Sequence, residues 1–215
     1  MLKLKSANYK DIEKEWLFQR SIPVDENGFL NDYPDISRED FDFALETMIA
    51  QSKGEKLPEG YVPQTVYYLW DDDNIVGTFH FRQYLCQSLI EGAGHIGYYI
   101  APEYRGKGYA SQGLKLLIDE IRDDVQDDEI YLRVNRDNPA SLRVMQNNGG
   151  YIHHQDDTKY YVRINGNTQR AIDHAGISPS ILAGLQTNNA MQTKIHIMPT
   201  IRASVFPFTK KNTSS

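Results

Sequence analysis

The chain has few of the features that mark secreted or membrane proteins. Its 215 residues include a single cysteine, Cys86, so it has no internal disulfide framework and no cluster of thiolate metal ligands. No apolar run approaches the length of about 20 residues that a membrane-spanning helix needs. The N-terminal stretch MLKLKSANYKDIEKEW lacks the apolar core of a signal peptide. We therefore expect a globular protein in a reducing compartment, the cytoplasm, with no membrane partner and no metal.

The chain also lacks a positive net charge. Its formal net charge is -6 at pH 7, which argues against wholesale binding of nucleic acids or anionic membranes. Acidic residues are scarce only near the end, where Asp173 is the single acid in 166–215. We predict that 1–165 form one domain. The cationic C-terminal extension 166–215 is either disordered or an arm that packs on a second subunit, which leaves a homodimer open.

The first 165 residues alternate between helix and strand patterns. Ser37 is a candidate N-cap after a long loop over 21–37, and the apolar residues at 41, 44, 45 and 48 form one helix face. TVYYLW and IVGTFHFR flank an Asp-rich turn, which predicts a β-hairpin. Further on, a strand, a helix and a strand follow one another, then a short helix capped by Asn138 and two closing strands. This order predicts an α/β fold with a mixed sheet.

A glycine-rich cationic turn, RGKGYA at 105–110, joins a predicted strand to a predicted helix. The first turn of a helix presents unpaired N–H groups and the positive end of its dipole, which favour an anion such as phosphate. Gly106 and Gly108 let the backbone approach the anion, and Arg105 and Lys107 add charge. A Walker A loop is excluded because no Ser or Thr follows the Gly-Lys pair.

The turn and the order of elements resemble the GNAT superfamily of acetyl-CoA-dependent acetyltransferases, whose signature is Q/R-x-x-G-x-G/A. Arg105, Gly108 and Ala110 occupy the signature positions, and the resemblance covers about residues 1 to 164. The later segment NRDNPASLRVMQNNGGY is similar to a family segment in which an asparagine, here Asn138, approaches the cofactor. The resemblance implies a mixed, mostly antiparallel central sheet with a splayed strand pair, flanked by helices, and acetyl-CoA as cosubstrate.

The resemblance also implies which residues hold acetyl-CoA. The backbone of the turn would bind the pyrophosphate, and the strand before it would bind the pantetheine arm. One backbone N–H near the end of that strand would polarise the thioester carbonyl. The implied cofactor-binding residues are Tyr99, Ile100, Arg105, Gly106, Lys107, Gly108, Tyr109, Ala110 and Asn138.

The implied reaction is direct attack by an amine on the acetyl group, and the amine must first lose a proton. Family members often carry a Glu where this chain has His95, whose imidazole accepts a proton near neutral pH. His95 is therefore the first candidate base, and the alternative is a histidine packed on a strand. Glu91 and His80 are the substitutes.

The proton for the departing thiolate has a less clear source. In many family members a tyrosine stands seven residues after the asparagine, but here that residue is Met145, which cannot donate a proton. Tyr151, Tyr104 or another nearby tyrosine would replace it, or the thiolate leaves without a dedicated acid and takes its proton from solvent. The missing tyrosine also keeps open a second function, a non-catalytic acyl-CoA-binding regulatory module.

The acceptor is predicted only as a class. We expect the loop around Asp25 to Asp35 and the segment EGYVPQT to border the acceptor cleft. In the superfamily, the regions that correspond to them vary and shape specificity. The acids of that loop suit a cationic amine. We therefore expect a small-molecule or peptide amine as the acceptor.

Overall fold

The structure, a computed structural model, describes residues 1–165, so the predicted extension 166–215 lies outside the described residues. The helices of the described part are α1 (Ile12–Ser21), α2 (Arg38–Ser52), α3 (Gln87–Glu91), α4 (Tyr109–Ile121) and α5 (Pro139–Asn147). Its strands are β1 (Leu2–Ser6), β2 (Asp25–Glu26), β3 (Phe29–Leu30), β4 (Gln64–Asp71), β5 (Asn74–Arg82), β6 (Ile96–Ile100), β7 (Glu129–Asn135), β8 (Tyr151–Gln155) and β9 (Lys159–Asn165).

The strands form two main sheets that meet at one point. The first sheet has the order β1-β4-β5-β6 and the second β7-β9-β8, with antiparallel neighbours in both. An isolated bridge between Gly94 and Leu132 joins them, and beyond it β6 and β7 are not paired. The prediction of an α/β fold with a mostly antiparallel sheet and a splayed strand pair is therefore confirmed.

Helices cover both faces of the first sheet. The side chain of Ser37 accepts a hydrogen bond from the Asp40 N–H, which confirms the predicted N-cap of α2, and the predicted apolar face of this helix is buried. On the other face α4 packs closely, because a Cβ added to Gly113 would lie 2.6 Å from Cζ of Phe79. No helix within residues 1–165 is long and apolar enough to cross a membrane.

The long loop over 21–37 contains a short hairpin that the sequence analysis did not predict. Strands β2 and β3 pair through a turn at Asn27 and Gly28, whose φ angles are 56° and 85°. Asn-Gly is a typical sequence for such a turn, since both residues tolerate positive φ. The base of the hairpin is held by buried Asn31, whose Nδ2 donates to the Ile22 carbonyl at 2.7 Å.

The buried carboxyl of Glu15 on α1 gives the fold a pH dependence. It accepts hydrogen bonds from the backbone N–H and the side-chain amide of Asn8, and burial raises its pKa from 4.5 to about 8. Between these two values the folded protein holds a proton that the unfolded chain has lost. The stabilisation of the folded state by this bound proton is complete below pH 4.5 and is lost as the pH rises through 8.

We expect Glu15→Gln to remove this pH dependence, because glutamine stays neutral. Urea denaturation at several values from pH 5 to 9 measures the effect as a flatter slope of the free energy of unfolding against pH. Glu59→Gln, which replaces an exposed loop carboxylate, should keep the wild-type slope. An unchanged slope in Glu15→Gln would contradict the assignment.

Candidate active site

The turn between β6 and α4 has the geometry of an anion-binding loop. Gly106 and Gly108 have φ angles of 74° and 81°, a region that side chains disfavour, and Gly108 is the N-cap of α4. A Cβ on Gly106 would meet no atom within 4 Å, so the turn is open to a ligand. The first N–H groups of α4 have no partner within the helix and point out of its N-terminus. These features fit a bound pyrophosphate.

The two basic side chains of the turn are oriented by protein groups. Arg105 donates from Nε to the Ile100 carbonyl at 2.8 Å, and its Nη1 forms an ion pair of 2.6 Å with Glu26 on the hairpin. The ammonium of Lys107 lies 5.6 Å from the centre of the Tyr104 ring. The backbone N–H groups are therefore the part of the turn that is free to bind phosphate oxygens.

The splayed strands expose backbone groups beside this turn. The Ala101 N–H donates to the Val76 carbonyl, so Ala101 bonds to β5. Hydrogen-bonded positions alternate along an antiparallel strand, so the backbone of Tyr99 also bonds to β5. The N–H and C=O groups of Tyr98 and the N–H of Ile100 therefore point into the gap beside β7, while the Ile100 carbonyl accepts from Arg105. Tyr98 is a position that the sequence analysis missed.

A cleft of about 1200 Å³ runs along the gap and collects most of the predicted cofactor residues. Asn138 belongs to it and caps α5 by accepting a hydrogen bond from the Ser141 N–H at 3.1 Å. The predicted residues that line it are Tyr99, Ile100, Arg105, Gly106, Gly108, Tyr109, Ala110 and Asn138. Lys107, His95, Glu91 and Tyr151 are not among its lining residues.

His95 lies where the two sheets meet. Its ring is 0% exposed, its Nδ1 accepts from the Tyr131 N–H at 2.9 Å, and its Nε2 lies 2.9 Å from a carboxylate oxygen of Asp127. Since Nδ1 accepts, Nε2 carries the proton and donates to Asp127. Burial lowers the pKa of the ring. Both ring nitrogens are thus hydrogen-bonded within the protein. This is the arrangement expected for the alternative, a histidine that is packed on a strand.

The other two predicted catalytic side chains are also distant from the cleft. Glu91 ends α3, and its carboxylate accepts a hydrogen bond from Gln87. Tyr151 lies on the edge strand β8 and donates its hydroxyl to Glu129 at 2.9 Å. Neither side chain is placed to exchange a proton with a ligand in the cleft.

His80 is the histidine that lines the cleft. It lies on β5, is 8% exposed, and its Nε2 has no hydrogen-bond partner among the described residues. The ring packs edge-on against Phe29 of the hairpin, with 5.0 Å between ring centres. Burial, assisted by the charge of Arg82, lowers its pKa to about 3. The ring is therefore neutral at physiological pH.

Comparison with known proteins agrees with this geometry. The model of the family described as "Acetyltransferase (GNAT) domain" matches residues 16–150. The chain belongs to the GNAT acetyltransferase family. Membership makes it an acetyl-CoA-dependent N-acetyltransferase, and the open turn and free strand edge fit that cosubstrate. A search of curated proteins found no match.

Solved structures of other acetyltransferases share the fold. RimL, a ribosomal L7/L12 alpha-N-protein acetyltransferase in complex with coenzyme A, is 21% identical and has a TM-score of 0.52 over 77% of this chain and 94% of its own. The spermidine N-acetyltransferase from Vibrio cholerae, with CoA and spermine, is 14% identical, with a TM-score of 0.51 over 77% and 96%. The microcin C7 self-immunity acetyltransferase MccE, with acetyl-CoA and AMP, is 15% identical, with a TM-score of 0.52 over 76% and 92%.

Tyr98 gives this GNAT acetyltransferase a hydroxyl next to α5. The hydroxyl donates to the Ser141 carbonyl at 3.2 Å, one helical turn before Met145, and the ring stacks on Phe79 with 5.5 Å between centres. Burial raises its pKa to about 12, so the phenol stays protonated. Its one hydroxyl proton is donated to the Ser141 carbonyl, near the position where many family members have their tyrosine.

Proposed function

We propose that this acetyltransferase moves an acetyl group from acetyl-CoA to a primary amine of a small molecule or a peptide by direct attack. The observation that carries the proposal is that three parts lie in one cleft: the glycine turn 105–110, the free edge of β6, and His80. The solved relatives include enzymes named for spermidine and for a ribosomal protein, so the fold serves acceptors of both kinds.

Different backbone groups of the chain bind different parts of acetyl-CoA. The first N–H groups of α4 bind the pyrophosphate, helped by the helix dipole. The backbone groups of Tyr98 and Ile100 that face the gap bind the pantetheine arm, and one N–H polarises the thioester carbonyl. Acetyl-CoA supplies the activated acetyl group.

His80 takes the proton that the amine must lose. In the transfer a C–N bond forms and the C–S bond breaks, so one proton leaves the nitrogen and one reaches the sulfur. The neutral ring of His80, which lines the cleft, accepts the first. The hydroxyl of Tyr98 exchanges its hydrogen bond to the Ser141 carbonyl for one to the thiolate, and solvent supplies the second proton. In this proposal His80 replaces His95 as the base.

The experiment is an acceptor screen with the full-length chain. Acetyl-CoA is mixed with primary amines, including amino acids, polyamines and peptides, and the release of free thiol and the mass of the product are followed. We expect thiol release only with an acceptor, in equal amount to the acetylated amine. If calorimetry shows acetyl-CoA binding but no amine releases thiol, the chain is the non-catalytic acyl-CoA-binding module instead.

We also propose that residues 1–165 form the complete acetyltransferase domain and that the protein acts in the cytoplasm. The proposal is supported by β9, the middle strand of the second sheet, which ends at Asn165. The single cysteine is compatible with a reducing compartment.

A further inference from the structure

Two arginines line the cleft on the side of His80. Arg82 follows His80 by two positions on β5, so both side chains lie on the same face of the strand. Arg82 donates from Nη1 to the Gly94 carbonyl at 3.4 Å, and Arg133 of β7 donates from Nη1 to the Glu91 carbonyl at 2.7 Å. The first carbonyl lies in the short segment that joins α3 to β6, and the second at the end of α3 just before that segment. The end of α3 and the segment after it thus orient a guanidinium from each sheet.

Neither guanidinium forms an ion pair with an acid within residues 1–165. Within residues 1–165 the arginines with a carboxylate oxygen closer than 4.0 Å are Arg38, Arg105 and Arg122. Burial is the main cause that lowers the pKa of Arg82, and the more distant Asp32 only partly opposes it. A guanidinium has five N–H donors, and leaving a desolvated one without an anion is unfavourable. The site is therefore suited to an anion from a ligand.

The other charged residues of the cleft also favour an anionic acceptor. Five basic residues line it and only two acids, Glu26 and Asp32. Glu26 is already paired with Arg105 at 2.6 Å. The loop acids Asp25 and Asp35, which suggested a cationic acceptor from the sequence, are not among the lining residues. The charge that the cleft offers to an acceptor is positive.

Space for a small acceptor lies between His80 and Arg82. Gly97 pairs with His80 across β5 and β6 and leaves its side-chain position empty. A Cβ placed there would be 4.0 Å from Nη1 of Arg82 and 3.9 Å from Cδ2 of Phe29. A ligand at this position would contact the guanidinium and the Phe29 ring, opposite His80 in the strand register.

We propose that the acceptor carries a carboxylate or phosphate a few bonds from its amine, and that Arg82, assisted by Arg133, binds this anion and thereby places the amine at His80. The inference rests on the proposed function and names its substrate class. Binding of the anion also offsets the positive charge of Arg82, which is one cause of the low pKa of His80.

Matched acceptor pairs test this proposal. The L-amino acids are compared with their primary amides, and O-phosphoethanolamine with ethanolamine, with spermidine as a cationic comparison. We expect kcat/KM per free amine to be at least about tenfold higher for the anionic member, the scale of one hydrogen bond to a charged group. The two sets of pairs decide whether the anion is a carboxylate or a phosphate.

Variants identify the residue responsible. Arg82→Gln should reduce the preference for the anionic over the neutral acceptor to about twofold or less, mainly through KM. Arg82→Lys should keep part of this preference. Arg136→Gln is the matched control, because Arg136 donates to the Asp156 carbonyl and does not line the cleft. Acetyl-CoA affinity, measured by calorimetry, should stay unchanged in all three.

Equal rates for the anionic and neutral members, or a preference for spermidine, would overturn the inference and leave the proposed function intact. A preference that survives in folded Arg82→Gln would also overturn it. If no amine is acetylated although acetyl-CoA binds, the proposed function fails, and the inference fails with it.

Discussion

His80→Ala is expected to lower kcat by about a hundredfold or more, the usual scale of general base catalysis, with little change in acetyl-CoA affinity. The reason is that His80 lines the cleft away from the turn that binds the phosphates, and its Nε2 has no hydrogen-bond partner among the described residues. Steady-state kinetics with an accepted amine and calorimetry with acetyl-CoA measure the two quantities separately. A folded variant with full activity would eliminate His80 as the base.

The pH profile gives a second test of the same residue. Because burial lowers the pKa of His80 to about 3, the free enzyme keeps the ring neutral throughout the range from about pH 5 to 8. The profile of kcat/KM should therefore show only the deprotonation of the acceptor's ammonium group and no limb near pH 6.5. A limb at that pH that disappears in His80→Ala would show that the ring titrates normally.

The matched control is His95→Ala. It removes the acceptor of the Tyr131 N–H and the donor to Asp127, at the point where the two sheets meet. Leaving a buried partner unpaired costs about 1–3 kcal/mol, so the melting temperature should fall. Cofactor binding and turnover should then decline together, whereas His80→Ala separates them. Loss of turnover alone in His95→Ala would restore His95 as the base.

The cofactor half of the site could be predicted because its signals are local. A strand that ends in a glycine-rich turn and continues as an amphipathic helix specifies a backbone conformation within about 20 residues of sequence. The structure has Gly106 and Gly108 at positive φ, as such a turn requires. The N-cap of α2 at Ser37 is a signal of the same kind.

The choice between two histidines could not be made from the sequence. His80 and His95 both lie at or beside strands, and the groups that distinguish them are remote along the chain. Tyr131 and Asp127, which occupy the ring of His95, are 36 and 32 residues away. Burial and pairing of this kind depend on how the two sheets meet. The Asn27-Gly28 turn, in contrast, was a local hairpin signal that the reading of 21–37 as a loop overlooked.

The second large effect is expected at the turn itself, where Gly108→Asp should raise the dissociation constant of acetyl-CoA by at least about a hundredfold, or roughly 3 kcal/mol. The added carboxylate lies at the N-terminus of α4, where the first N–H groups are free to bind the pyrophosphate. It would accept from those N–H groups and repel the incoming anion. Calorimetry and the thermal shift with acetyl-CoA measure the loss.

The substitution should weaken binding without unfolding the protein, since aspartate is a good N-cap and tolerates positive φ better than most residues. Gly149→Asp is the matched control: Gly149 has the same φ of 81° and no atom within 4 Å of its Cβ position, and it does not line the cleft. It adds the same charge and similar strain at a distant turn. Equal loss of binding in both variants would mean that strain or net charge is responsible. Loss in Gly108→Asp alone locates the pyrophosphate at the N-terminus of α4.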